Sequence, residues 1–509
     1  MSWRGVPVFG GVLVTLAVLM LGPALFAALR GDWSVAAAFG YSAGVTAIVG
    51  CLLIAALFRR LDHASAVGEF TVLIATLAFT PVAAAIPVAA AAPLLSFEAA
   101  YFEMVSMITT TGATVFERLD EVHPAILLWR GIIAWLGGLV ALVMAYALLA
   151  PRGLGGFEVR GDRGRSAALG RLVGSPVWAG GAPVEAAGDR LTAAIRSVLP
   201  VYSGLSFCLM LLLMMLGHAP LNAAVLAAGT LSTSGVSTGA NASFISSGFA
   251  GELTIAVFLV LAATRHTYGG TGQRPLRLTG LSEDPEMRIL FIVVIGTGGW
   301  IYVRHWLGVL ELEDGAGAGS LRALWGGLFT TLSFATTTGY LSADWESARA
   351  WSGLDNPSLI FIGLAIMGGG IATTTGGVKL LRAYALFKHS AREMERLVRP
   401  SSVSSSRAGK RGLRREGAEI AWVFVMLFLV TLALAMLALS LTGMSFEVGL
   451  SAAVAALSNT GPLFPATTGR SWLTSVSAEG RGVLVVVMVL GRVEILALIA
   501  MLNTDNWRR

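Results

Sequence analysis

Four short uncharged stretches of this chain carry hydroxyls and glycine in matching order. They are Ser106-Met-Ile-Thr-Thr-Thr-Gly-Ala-Thr-Val-Phe116, Leu231-Ser-Thr-Ser-Gly-Val-Ser-Thr238, Ser333-Phe-Ala-Thr-Thr-Thr-Gly-Tyr-Leu-Ser342 and Ala456-Leu-Ser-Asn-Thr-Gly-Pro-Leu463. The chemistry such residues can do is ion coordination. An ion leaving water needs its hydration shell replaced, and backbone carbonyls converging on one axis replace it cheaply. Holding successive carbonyls in one direction takes backbone angles that glycine adopts freely, and the Thr and Ser hydroxyls add short oxygen ligands. A carboxylate ring, the usual device for a divalent ion, is absent from all four stretches, so a monovalent cation fits best. Gly112, Gly235, Gly339 and Gly461 lie 123, 104 and 122 residues apart, which reads as a degenerate fourfold repeat forming a single ring. Single clusters of this kind often mark close helix packing; four of them, each preceding a long apolar run, favour the ring.

The elements that must position the ring are membrane helices. Of the 509 residues 55% are hydrophobic and only 13% charged, and the mean hydropathy is +0.74, more apolar surface than a soluble fold can hide. The fold class expected is an all-α polytopic membrane protein. The net charge of +6 does not point to nucleic acid, because the basic residues sit in loops between apolar runs. Cys51 and Cys208 both fall within apolar runs, and the six histidines lack ligand spacing, so neither a disulfide nor a metal cage is indicated. No nucleophile, base and orienting group occur together, and the glycine clusters lack the Gly-Lys-Ser/Thr of a phosphate loop, so an enzyme is not expected.

Two apolar runs, 6–29 and about 35–57, precede the first hydroxyl stretch. The first exceeds the apolar core of a signal peptide and is read as a helix. From there one unit recurs: a long apolar helix, a half-helix, the hydroxyl-glycine stretch, a second long helix. The expected helices are 70–95, 97–109 and 124–149; 195–216, 221–231 and 252–263; 288–310, 321–334 and 358–387; then 420–441, 446–457 and 483–502. The half-helices are too short to cross the roughly 30 Å apolar layer and should enter and turn back, aiming partly negative C-terminal ends at a cation path. The parts are thus an N-terminal pair 1–64, pore repeats 65–151, 194–287, 288–388 and 417–509, and basic linkers 152–193 and 389–416. Two plus four times two gives about ten spanning helices in a pseudo-fourfold arrangement.

Charge sets the side. Residues 152–196 carry seven arginines against four acids, and residues 379–419 carry eleven lysines and arginines against four glutamates. The segments assigned to the opposite face hold Glu98, Glu103, Glu117, Asp120, Glu121, Glu311, Glu313, Asp314, Asp344 and Glu346. Positive charge marks the cytoplasmic side, so both termini and both basic loops are expected in the cytoplasm of a cell whose plasma (inner) membrane holds the chain. No carboxylate stands out in the middle of a helix, which argues against the main alternative, an ion-coupled secondary transporter carrying H+ or Na+.

These residues resemble the Trk/Ktr/HKT superfamily of potassium uptake proteins, most closely its bacterial TrkH-type branch. Thr109-Thr-Thr-Gly-Ala-Thr114 is similar to the first filter, followed by Trp129-Arg130 and Trp135-Leu-Gly-Gly138; Ala335 to Trp345 is similar to the third filter, Ser458-Asn-Thr-Gly-Pro462 to the fourth, and Leu490-Gly-Arg-Val-Glu-Ile495 to the last helix. The resemblance implies a potassium path lined by Thr110, Thr111 and Gly112, by Thr233, Ser234 and Gly235, by Thr337, Thr338 and Gly339, and by Asn459, Thr460 and Gly461. Serine in place of the first filter glycine favours sodium in plant relatives; glycine at 112 points to potassium over a less selective K+/Na+ pore.

It also implies a homodimer with a pore in each protomer, embedded in lipid, and a cytosolic TrkA-type partner with RCK domains. That partner, rather than this chain, would bind the nucleotide, NAD or ATP/ADP; no covalent cofactor is expected. Finally it implies a gate loop, residues 368–379, that interrupts the helix below the third filter, with Gly368, Gly369, Gly370, Thr373, Thr374, Gly376, Gly377 and Lys379 as its working residues. A Gly/Thr-rich break in an apolar run suits a hinge or gate, or else a kinked packing helix. Arg492 lies in the middle of the last apolar run, where an unpaired charge is costly; the family places an arginine at the constriction, the alternative being a structural pair with Glu494. The linkers 152–196 and 379–415 are the expected docking surface for the partner.

Overall fold

The computed structural model describes residues 6–57, 66–152, 154–157, 187–239, 247–268, 284–311, 320–346, 349, 357–399 and 415–494. Much of both basic linkers, and the last residues from 495, lie outside these.

Among the described residues all regular structure is helical. The leading pair is α1 (Val6–Leu29) and α2 (Trp33–Leu57), followed by α3 (Ala66–Ala91), α4 (Phe97–Ile108), α5 (Pro124–Met144), α6 (Ala187–Met215), α7 (Pro220–Leu231), α8 (Gly248–Ala262), α9 (Pro285–Glu311), α10 (Ser320–Ala335), α11 (Ser358–Met367), α12 (Leu380–Val398), α13 (Arg415–Leu441), α14 (Phe446–Leu457), the short α15 (Leu463–Thr468) and α16 (Trp472–Ser475), and α17 (Ala478–Val493). Seven of them, α1, α2, α3, α5, α6, α9 and α13, are long and apolar enough to cross a membrane. Their outer faces expose large apolar side chains such as Leu25, Ile48, Met215, Ile292 and Leu434, as expected of surfaces solvated by lipid.

The four half-helices α4, α7, α10 and α14 are 12, 12, 16 and 12 residues long. At 1.5 Å per residue none matches a 30 Å layer. Proline at the first position of α7 and the Ser96 hydroxyl accepting from Ala99 N–H at the head of α4 fix where two of them begin.

The second helices of repeats three and four are shorter than expected, whereas that of repeat two begins earlier, at 248 rather than 252. The 15-residue α8 stops where a charged cluster begins at Arg265, the 10-residue α11 stops at Gly368, and the 16-residue α17 stops at Glu494, whose φ is 61°. The last begins at 478 rather than 483, because Ser477 caps it through the Gly480 N–H and Glu479 occupies its first turn. The leading pair packs against α3 and α5, where Phe39 meets Trp129 edge-on at 5.9 Å and the Trp129 indole donates to the Ala84 carbonyl. Cys51 and Cys208 are free and exposed on the apolar surface.

Candidate functional site

Each half-helix ends in the same turn. The N–H groups three and four residues after its last helical residue fold back on one carbonyl: Thr111 and Gly112 on Ser106, Ser234 and Gly235 on Gly229, Thr338 and Gly339 on Ser333, with Thr460 on Ala455 in the fourth. The residue before each carries a positive φ, 55° at Thr110, 53° at Thr233, 58° at Thr337 and 53° at Asn459. Those are left-handed conformations that cost a β-branched residue about 1–2 kcal/mol. What holds them is a hydroxyl pair bridging the strained residue, Thr109 with Thr111 (2.8 Å), Ser232 with Ser234 (2.8 Å), Thr336 with Thr338 (3.2 Å) and Ser458 with Thr460 (3.1 Å). Serine and threonine at this spacing serve the turn itself, with their oxygens tied up beside the backbone.

The four turns meet in a closed ring. A Cβ added at Gly112 would lie 1.7 Å from the Ser234 carbonyl oxygen, and one added at Gly235 would lie 2.0 Å from the Thr338 carbonyl oxygen. Gly339 abuts Pro462 of the fourth segment, and Gly461 N–H closes the circuit onto the Thr111 carbonyl at 2.5 Å. Gly112 cannot carry a side chain for two reasons, its φ of 74° and that carbonyl. The fourth segment differs: Gly461 has no positive φ, and the Pro462 ring reaches toward Gly112, Gly235 and Gly339 together. All twelve expected filter residues are thus assembled in one place.

Residues 368–379 form a non-helical loop directly beneath. Val378 and Lys379 N–H bond back to Ile366 and Met367, and Leu380 to Gly369, pinching the loop at its neck. Its tip touches three of the four turns: the Thr374 hydroxyl donates to the Leu231 carbonyl (3.1 Å) and accepts from Thr233 (3.2 Å), Gly376 N–H donates to the Thr337 hydroxyl (2.8 Å), and Gly376 packs on the Ser458 carbonyl. Arg492 donates to the Thr374 carbonyl at 2.7 Å, and the Lys379 ammonium donates to the Thr375 carbonyl. The alternative pairing of Arg492 with Glu494 does not form; Glu494 bonds Arg382 at 2.8 Å instead, and the Arg382 guanidinium lies over the Phe424 ring. Gly368, Gly369, Gly370, Thr373 and Gly377 complete the loop, and a pocket lined by Thr373, Lys379, Arg492, Glu494 and the π-helical turn Ala145–Leu149 opens beside it.

Sequence reading missed the charges behind the ring. Glu103, counted with the acids of the outer face, is fully buried in the middle of α4, which corrects the expectation that no helix carries a central carboxylate. It accepts from Arg130 at 2.6 Å and from Val115 N–H at 2.8 Å, and Arg130 donates onward to the Ser237 carbonyl, so one ion pair holds the exits of the first and second turns. Glu252 on α8 does the same for the third, accepting from Ser342, Ala343 N–H and the Trp325 indole. The available signal was the rule that an ionisable residue in an apolar run needs a partner; only Arg130 lay in an obvious run.

These features define a helical membrane protein in which four re-entrant segments close one polar ring above an intramembrane loop. The chain matches the profile of the family described as TrkH: Cation transport protein over residues 319–506, and is 30% identical over 420 residues to the Trk system potassium uptake protein TrkH of Halomonas elongata, covering 82% of this chain and 81% of that one. It belongs to the TrkH family. The TrkH of Escherichia coli K12 is 27% identical over 428 residues, 82% of this chain and 80% of its own. The crystal structure of the potassium transporter TrkH from Vibrio parahaemolyticus superposes with a TM-score of 0.79 over all of both chains at 25% identity.

Proposed function

We propose that this chain mediates potassium uptake across the cell membrane, with the four hydroxyl-glycine turns as its selectivity filter and residues 368–379 with Arg492 as its gate. The observation carrying this reading is the closure of four near-identical strained turns into one ring with no carboxylate in it. Relatives named for potassium uptake support the ion. The charge of the basic linkers supports a cytoplasmic loop side, with the filter opening outward and a membrane potential driving entry at about 2.3 kcal/mol per charge per 100 mV. A homodimer regulated by a cytosolic nucleotide-binding partner completes the proposal.

The test is flux into proteoliposomes under matched potassium and sodium gradients, for the native chain and Gly112→Ser. The serine Cβ must displace the Ser234 carbonyl, so potassium flux is expected to fall and its lead over sodium to narrow by roughly tenfold or more, the change that 1.4 kcal/mol at one coordinating position gives. Equal potassium and sodium flux through the native protein sinks the selective reading.

A further inference from the structure

The gate residues named so far grip the loop from its tip and its C-terminal side. A separate group grips it from the opposite side. Between the end of α8 and the start of α9, Arg265, His266, Asp284 and Glu286 form one ion-paired cluster: Arg265 reaches Asp284 at 2.8 Å and Glu286 at 3.3 Å, and His266 reaches Asp284 at 2.7 Å. Both carboxylates are buried, Asp284 at 4% and Glu286 at 2% exposure. The second oxygen of Glu286 faces the loop and accepts the Ile371 N–H at 3.3 Å.

Two neighbours show that the contact is built in. A Cβ on Gly370 would stand 2.8 Å from that same carboxylate oxygen and 2.4 Å from the Ala263 carbonyl, so glycine at 370 is what lets the carboxylate and the end of α8 reach the loop. The Ile371 side chain is fully buried in a small apolar cluster with Leu381, Ala385 and Ala421, apart from the main core. Ile371 is therefore the loop's fixed point, its side chain seated against α12 and α13 and its N–H on Glu286. Within the loop, the Gly370 carbonyl accepts from Thr373 at 2.6 Å, so the fixed point is tied directly to the tip beneath the filter.

We propose that Glu286, held in place by Arg265, is a latch that keeps the loop closed under the filter, acting as a positioning residue through Ile371. The proposal rests on the reading of residues 368–379 as a gate. A buried carboxylate accepting a backbone N–H loses most of its hold if either its charge partner or its line of approach is removed.

The experiment uses the full chain, purified without any partner, in proteoliposomes. Glu286→Ala and Gly370→Ala are each expected to raise potassium flux about tenfold, the shift produced when one charge-assisted hydrogen bond is taken from one side of a two-state equilibrium. The potassium-to-sodium ratio should stay at the parent value. Glu286→Gln keeps an oxygen for Ile371 and should fall between. A thiol at Thr374→Cys, in a chain lacking Cys51 and Cys208, should react faster with a water-soluble reagent when Glu286→Ala is added. A purely structural role would lower folded yield without raising flux or thiol reactivity. The latch is overturned if the Glu286 and Gly370 variants, folded as judged by gel filtration, conduct no better than parent while a chain lacking residues 373–376 conducts well. If that deletion also fails to conduct, the gate reading itself falls, and the latch with it.

Discussion

Glu103 and Arg130 illustrate what a single buried pair does for a proposed filter that touches neither residue's charge directly. The pair joins α4 to α5 and, through Val115 N–H and the Ser237 carbonyl, sets where the first two turns leave the ring. Removing one partner leaves a fully desolvated charge, so Glu103→Ala should destabilise the fold by about 3–5 kcal/mol. The double variant Glu103→Ala with Arg130→Ala should recover part of that loss, because no orphan charge remains. Thermal unfolding in detergent measures the cycle; strictly additive losses would show that the two side chains act independently.

At the scale of elements, the starts of the pore helices are as constrained as their ends. His218 precedes α7, and its Nε2 lies 2.6 Å from the hydroxyl of Ser247, which begins the approach to α8. Burial pushes this imidazole below its ordinary range, so the fold favours the neutral form. A folded pKa below the unfolded value near 6.5 means the contribution is whole above about pH 6.5 and is lost as pH falls below it. The melting temperature should therefore drop on acidification from pH 7.5 to 5, and His218→Gln should lessen that drop; an unchanged acid limb in the variant would exclude His218 as its source. Helix positions of this kind were legible in the sequence, since apolar runs and proline or serine starts are local signals, and the four glycine stretches located the ring. Less legible was what the hydroxyls do. Their i, i+2 bridges across Thr110, Thr233, Thr337 and Asn459 follow from the backbone turn, and single-residue chemistry suggests only ligands. The early stop of α17 at Glu494 and the cluster around Glu286 were hidden because their partners, Arg382 and Ile371, are distant in sequence.

For the whole molecule the proposed orientation rests on charge. Residues 379–419 carry eleven cations against four acids, whereas the segment between α9 and α10 carries Glu311, Glu313 and Asp314 without a cation until Arg322. Translocation tends to retain such basic segments on the cytoplasmic side, and residues 368–379, the proposed gate, run directly into this segment at the start of α12. Cys51 and Cys208 are the chain's two cysteines and both are exposed, so they must first be replaced by alanine. In that background, Ser404→Cys should react with a membrane-impermeant thiol reagent only after cells are opened, and Ala316→Cys should react in intact cells. The reverse pattern would invert the molecule, put the gate loop outside the filter, and turn the proposed uptake path into one whose gate faces the medium.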